Sequence, residues 1–227
     1  MSAAERTGAA PAGARAERRQ PVYARTATVH GDPKAVDDGV AFLRDRVMPA
    51  VEGLPGYVGL SMLADRDSGR CIATTSWADE AAMSSTGEQL RPLRARFAQI
   101  LGGPPELQSW EIAVLHRVHE APDGACTRVT WMRTDPDRVE QVLDAYRLSL
   151  LPRLEEMAGF CSASLLVDRW EGRGAGSVTY ADREALERSR TDATAVREEF
   201  AAAMGSRILE VAEFDLVLAH LRVPETA

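Results

Sequence analysis

The chain holds 227 residues, 45% apolar and 6% aromatic, with 27 Lys and Arg set against 34 Asp and Glu for a formal net charge of −7. That length suffices for one or two domains with cores of their own, and the acidic balance excludes a basic phosphate-binding face as the main working surface, so no nucleic-acid partner is expected. No apolar run approaches the roughly 20 residues that span a bilayer, and the first 20 residues lack the apolar stretch of a secretory signal, so a cytoplasmic protein without a membrane partner is expected.

Residues 1–21 are rich in Ala, Arg, Gly and Glu with almost no large apolar side chain. Nothing there offsets the entropy of ordering, and a disordered tail is predicted. From Val22 onward the chain is two copies of one pattern. A shift of about 103 residues superposes them without a gap for roughly 80 positions: Asp32-Pro33 recurs as Asp135-Pro136, Pro49 as Pro152, Gly56 as Gly159, Asp65-Arg66 as Asp168-Arg169, and Gly102 as Gly205. Two units follow, 22–120 and 125–224.

Each copy opens with an alternating, β-branched stretch, Val22 to Val29 and Cys126 to Met132, read as a strand. Asp32 and Asp135, each followed by Pro at the first helical position, then cap a helix. Its apolar residues step by three and four: Val36, Val40, Leu43, Val47 and Val51 in one copy, Val139, Leu143, Tyr146, Leu150 and Leu154 in the other. Pro49 and Pro152 fall late in this pattern and predict a kink or an early end. Past Gly56 and Gly159 come a second strand, an Asp-Arg-x-x-Gly-Arg hairpin in which Gly69 and Gly172 supply a positive φ, and a third strand ending at Trp77 or Tyr180. Asp79 and Asp182 cap a second helix, striped in the first copy by Met83, Leu90, Leu93, Phe97 and Leu101 and closed by Gly102 or Gly205. A fourth strand, Trp110 to Val118 and Phe214 to Val223, completes each copy.

This order is the ferredoxin-like unit, a four-stranded antiparallel sheet with both helices on one face. The bare face of each sheet needs a cover, and the other copy provides it. The expected fold is α+β: two tandem ferredoxin-like βαββαβ units forming an intramolecular pseudo-dimeric α/β barrel. The protein is expected as a monomeric pseudo-dimer or as a homo-oligomer of such chains. The three cysteines, Cys71, Cys126 and Cys161, are odd in number without C-x-x-C spacing, and read as small buried side chains rather than a disulfide framework or zinc site.

A strand ending in Trp, followed by a small-Asp-x-x-Ala helix start, is written here as Trp77-Ala78-Asp79-Glu80-Ala81-Ala82, with the weaker Tyr180-Ala181-Asp182-Arg183-Glu184-Ala185 in the second copy. In this element order the motif resembles the dimeric α/β-barrel superfamily, specifically its antibiotic-biosynthesis-monooxygenase-like branch. The resemblance implies a protein that binds a small, largely apolar organic molecule and oxygenates or isomerises it without metal or flavin. The oxygenase and heme-degrading patterns of that superfamily pair an Asn with the strand-end Trp, and the heme-degrading one adds a His on the following helix. This chain has no Asn, neither second helix contains a His, and only the Trp is carried over, to Trp77. Catalysis is therefore open, and two alternatives stand beside it: a non-catalytic small-molecule-binding or interaction module of the same fold, and a heme-binding protein, since the tandem layout also resembles the chlorite dismutase superfamily.

Seven side chains are candidates for the site. Arg25 and Arg128 hold the same place in the first strand of each copy, where a guanidinium fork can hold an anionic or enolate oxygen; a solvent-facing Arg or a cross-strand ion pair is the competing reading. Trp77 and Tyr180 end the third strands, and Trp131 stands where the first copy has Thr28. His116 and His220 are symmetric, and alternation places them on the face of Trp110, Ile112 and Val114 and of Phe214, Leu216 and Leu218. That face carries no carboxylate, and an imidazole there could serve as a general base. His30 and His119 are expected at the surface. With no G-x-S-x-G, G-x-G-x-x-G or Walker loop, neither a nucleophile elbow nor a nucleotide cofactor is implied, and no metal cluster is suggested. Differences between the copies mean that pockets lying between each sheet and its helices need not be alike.

Overall fold

The computed structural model describes residues 21–221; the predicted tail through residue 20, and the end of the predicted last strand at Val223, lie outside the described residues. β1 (Val22–His30), β2 (Tyr57–Asp65), β3 (Arg70–Trp77) and β4 (Pro105–Arg117) form one quartet in the order β4-β1-β3-β2. β5 (Cys126–Arg133), β6 (Phe160–Asp168), β7 (Arg173–Tyr180) and β8 (Arg207–Leu221) repeat it as β8-β5-β7-β6. β2 pairs with β8 and β4 with β6, so the strands close an antiparallel barrel, as the repeated pattern predicts. The last strand of each unit serves both sheets. Pro105 to Ile112 of β4 pairs with β1 of its own unit, while Glu111 to Arg117 pairs with β6 of the other.

The first helix of each unit is a composite. In unit one a 3-10 turn (Pro33–Ala35) leads into α1 (Val36–Phe42), a π turn (Leu43–Val47) and α2 (Met48–Glu52). Unit two repeats this with α5 (Val139–Ala145), a π turn (Tyr146–Leu150) and α6 (Leu151–Glu155). Asp32 and Asp135 cap the start, accepting from the N–H of Lys34 and of Asp137. Pro49 and Pro152 do not end the helix. The wider π turn resets the hydrogen-bond ladder just ahead of them, so each ring stands in the first turn of the next α segment, where no N–H is needed. The second helix, predicted as one, is two: α3 (Glu80–Ser85) and α4 (Arg91–Leu101), then α7 (Arg183–Arg188) and α8 (Arg190–Met204). Asp79 and Asp182 cap α3 and α7 through the N–H of Ala82 and Ala185, both at 2.7 Å. Gly87 and the helix-starting Pro92 divide the first pair.

The helix side of each sheet carries an apolar core, Leu60, Met62, Phe97 and Leu101 in one unit and Leu143, Leu154, Leu165 and Phe200 in the other. The opposite faces line the barrel. One end of the lumen is plugged: the Arg70 guanidinium lies 4.4 Å from the Trp131 ring, Arg173 lies 5.7 Å from Trp110, and Trp110 Nε1 donates to Thr26 Oγ1 at 3.0 Å. The other end opens into a space of about 1420 Å³, counted out to its mouth, lined by hydroxyls such as Ser76, Ser162 and Thr179. All three cysteines are buried thiols, and burial pushes Cys71 and Cys126 up to about 11.

Two bulges correct the expected alternation. Ile112 pairs opposite Leu166, but one extra residue, Ala113, brings Val114 opposite Leu165 on the helix side. Val217 does the same between Leu216 and Leu218. An inserted residue reverses the facing of everything beyond it. His116 and His220 therefore point toward the helices and not to the face of Trp110, Ile112, Phe214 and Leu216.

Candidate functional site

Each unit holds a cavity between its sheet and its helices. The first, about 460 Å³ counted to its open mouth, has walls of Leu43, Val47, Leu60 and Phe97, with Arg25, Thr75 and Arg94 as its polar groups. The second, about 580 Å³, is walled by Leu150, Leu154, Val178 and Phe200, with Arg128, Tyr146, Tyr180 and Arg197 among its polar groups. Both are apolar with a few convergent polar groups, the lining expected of a small-molecule site.

In the second cavity Arg128 is 4% exposed. Its Nε and Nη2 stand 3.1 and 2.9 Å from Glu213 Oε1, Nη1 donates to Ser189 Oγ at 3.0 Å, and Nη2 also reaches the Leu186 carbonyl at 2.8 Å. Register explains the ion pair, since Arg128 lies directly across from Glu213 on β8. Arg190 holds the other Glu213 oxygen at 2.9 Å. Tyr146, 2% exposed, comes from the π turn; its ring meets Phe200 edge-on at 6.2 Å, and its buried hydroxyl has no hydrogen-bond partner among the described residues. Burial pushes its pKa far above the ordinary phenol value, with Tyr180 adding to the effect, so the group is a neutral donor at any working pH. The Tyr180 hydroxyl is spent on Met157 Sδ at 3.4 Å. Burial, and then the charge of Arg128, hold Arg197 below the usual guanidinium value.

In the first cavity Arg25 donates from Nη1 to the Met83 carbonyl at 3.2 Å, and Arg94 donates from Nη2 to the Gly87 carbonyl at 2.6 Å. Trp77 is a buried aromatic packed edge-on against Tyr57 at 6.1 Å, and reaches the cavity only through Nε1 donating to Thr75 Oγ1 at 3.2 Å. Trp131 points into the lumen against Arg70 and Phe214 and lies outside both cavities.

His116 and His220 also lie outside. His116 Nε2 stands 2.9 Å from Glu155 Oε1, off the line a hydrogen bond needs, with its ring stacked on Phe160 at 6.5 Å; His220 Nε2 stands 3.4 Å from Glu52 Oε1. The expectation of a face without carboxylates fails here, because the bulges turn each imidazole onto the first helix of the other unit. No histidine lines either cavity, so neither offers an axial imidazole to a heme. Of the seven candidates, then, Arg25 belongs to one cavity and Arg128 and Tyr180 to the other. Sequence reasoning missed Arg94, Arg197, Tyr146 and Glu213, although Arg94 and Arg197 obey the same 103-residue shift as Arg25 and Arg128.

No family model matches the chain. Two Mycobacterium tuberculosis proteins, the uncharacterized proteins Rv2557 and Rv2558 of strain H37Rv, are each 46% identical to it, over 204 residues (90% of this chain and 91% of the relative) and over 220 residues (96% and 92%). Among solved structures, a Fusobacterium nucleatum protein described provisionally as a monooxygenase superposes with a TM-score of 0.66 at 13% identity, covering 89% of this chain and 95% of its own. An anthrone oxidase-like protein gives 0.65 at 13% (92% and 96%), and a Listeria monocytogenes ferredoxin-fold protein related to antibiotic biosynthesis monooxygenases gives 0.52 at 9% (87% and 96%). At such identities the likeness shows the fold, the dimeric α/β barrel of the antibiotic-biosynthesis-monooxygenase-like kind. By sequence, over 90% or more of its length, the chain belongs to the family of Rv2557 and Rv2558.

Proposed function

We propose that the second cavity binds a small, largely apolar, electron-rich molecule carrying a phenol or enol oxygen, and oxygenates it without metal or flavin. The observation that carries this reading is the Tyr146 hydroxyl, buried and unpartnered among the described residues, on a side chain that lines an apolar cavity. A hydroxyl so placed costs about 1–3 kcal/mol when left unsatisfied, and a ligand oxygen within reach would relieve that cost. Arg197 supplies positive charge that favours the ionised form of the bound enol. The ionised carbon can then add O₂ to give a hydroperoxide, which loses water to leave a carbonyl, so that a CH₂ group and O₂ become C=O and H₂O. The solved structures named for monooxygenases and for an anthrone oxidase support the class of chemistry.

A second reading, binding without turnover, is favoured by a specific observation. Among the described residues neither a carboxylate nor an imidazole is part of the lining to take the substrate's proton. Oxygen uptake with anthrone as the probe, alongside the thermal shift it produces, separates the readings. Uptake above the buffer rate that falls at least tenfold in Tyr146→Phe supports oxygenation. Stabilisation without uptake supports the binding module, and the absence of both sinks the assignment of this cavity. The small molecule is the partner in either reading, and we place the protein in the cytoplasm; among the described residues no helix is long and apolar enough to cross a membrane.

A further inference from the structure

The two cavities are related by the repeat, but their charges are not. Arg25 and Arg94 occupy the places of Arg128 and Arg197 under the 103-residue shift. Across the strand, however, Arg128 meets Glu213, whereas Arg25 meets Ser109. Four of the five N–H groups of Arg128 are engaged, by Glu213 twice, Ser189 and Leu186. Arg25 keeps only the counterpart of the Leu186 bond, to Met83. Thr86, which stands where unit two has Ser189, turns its hydroxyl back onto the carbonyls of Ala82 and Met83 and offers Arg25 nothing.

Arg94 likewise donates one bond, to Gly87. Among the described residues neither Arg25 nor Arg94 forms an ion pair. The two guanidiniums converge, since Arg25 Nη1 stands 3.1 Å from the point a Cβ on Gly87 would occupy while Arg94 holds the carbonyl of that residue. Glu88, the neighbouring acid, is turned to solvent and paired with Arg91 at 3.2 Å. Burial, and then the charge of Arg25, press Arg94 below its ordinary pKa. Two half-buried cations with most of their donors unspent thus line an apolar cavity in which, among the described residues, no carboxylate stands, an arrangement complementary to an anion.

We infer that the first cavity is an organic-anion site, in which Arg25 and Arg94 clamp the carboxylate of a monocarboxylic acid whose apolar body lies along Leu43, Val47, Leu60 and Phe97. The inference is independent of the second-cavity reading. Isothermal titration with octanoate and with 1-octanol tests it, the two probes differing in charge and sharing a chain. The expected result is one octanoate per chain, bound at least tenfold more tightly than octanol. Arg94→Ala should weaken octanoate roughly ten- to a hundredfold, the worth of a charge-assisted hydrogen-bonded pair. Ser109→Glu should do the same by giving Arg25 the counter-ion that Arg128 already has; Ser109 is exposed, so the variant should keep the parent melting curve. Tyr146→Phe, in the other cavity, should change octanoate affinity less than twofold. Absence of octanoate binding, equal binding of the two probes, or octanoate binding untouched by both Arg94→Ala and Ser109→Glu overturns the assignment. Loss on Tyr146→Phe alone would move the anion to the second cavity and overturn it equally. Anthrone-dependent oxygen uptake reads the second cavity, so each proposal can fail while the other stands.

Discussion

Glu213→Leu removes the counter-ion of a guanidinium that has almost no access to water. The Arg128 side chain is 5% exposed and that of Glu213 22%. Breaking a fully buried pair by deleting one partner costs about 3–5 kcal/mol, because the remaining charge is stranded; allowing for the partial exposure of Glu213 lowers this to about 2–4 kcal/mol. For a chain of this size each kcal/mol shifts the midpoint by roughly 2–4 °C, so a drop of roughly 4–16 °C is expected. Urea denaturation at neutral pH, with an unchanged slope, gives the free energy directly. Arg128→Met added to Glu213→Leu should recover most of the loss, since an apolar pair of similar volume replaces a buried ion pair at little net cost. A single variant within 0.5 kcal/mol of the parent, or a double variant no better than the single, would refute the argument that Arg128 depends on Glu213 for neutralisation.

Three other outcomes are expected. Glu213→Ser gives the second cavity the charge pattern of the first, and titration should then show two octanoate sites per chain in place of one. Burial alone would raise the Asp168 pKa, but the hydrogen bond from Arg173 at 2.6 Å and the N–H groups of Glu171 and Trp170 outweigh it and hold the carboxyl below its usual range; Asp65 is held down likewise by the Ser68 hydroxyl and the N–H groups of Asp67 and Ser68. A carboxyl lower in the folded than in the unfolded chain stabilises fully above its unfolded value of about 4 and loses that contribution as pH falls through the folded value, so Asp65→Asn with Asp168→Asn should flatten the stability profile below about pH 4, checked by denaturation at stepped pH. Gly69→Ala should cost more than Gly102→Ala: both have positive φ, but a Cβ on Gly69 would lie 2.2 Å from the Gly31 carbonyl oxygen while Gly102 has open space. The left-handed conformation alone accounts for roughly 1–2 kcal/mol in each, and equal losses would contradict the clash.

The barrel was legible because its punctuation is. Asp-Pro helix starts and glycine turns recur at one spacing, and each does at the second site the local job it does at the first. What the sequence hides are features without a residue signature. Ala113 and Val217 look like any strand residue, yet each, as an extra residue in its pairing, reverses the facing of the histidine beyond it. Glu213 was invisible as a partner because β8 begins at Arg207, seven residues before the apolar alternation does. Tyr146 was read as part of a buried helical stripe, which is true of its ring and silent about its hydroxyl. Trp131 could have been set apart from Arg128 without a structure, since residues three apart on a strand face opposite sides.

The closure of β4 onto β6 and of β8 onto β2 leaves neither unit an exposed sheet edge, and it binds together two halves that share one gene product. In a barrel assembled from two identical subunits, every substitution is made twice, so a change that suits one cavity is imposed on the other. Here Leu43 stands in one unit where Tyr146 stands in the other, and Ser109 pairs with Arg25 where Glu213 pairs with Arg128, without either position constraining the other. Covalent continuity has turned a symmetric container into two independently mutable chambers within one shared scaffold.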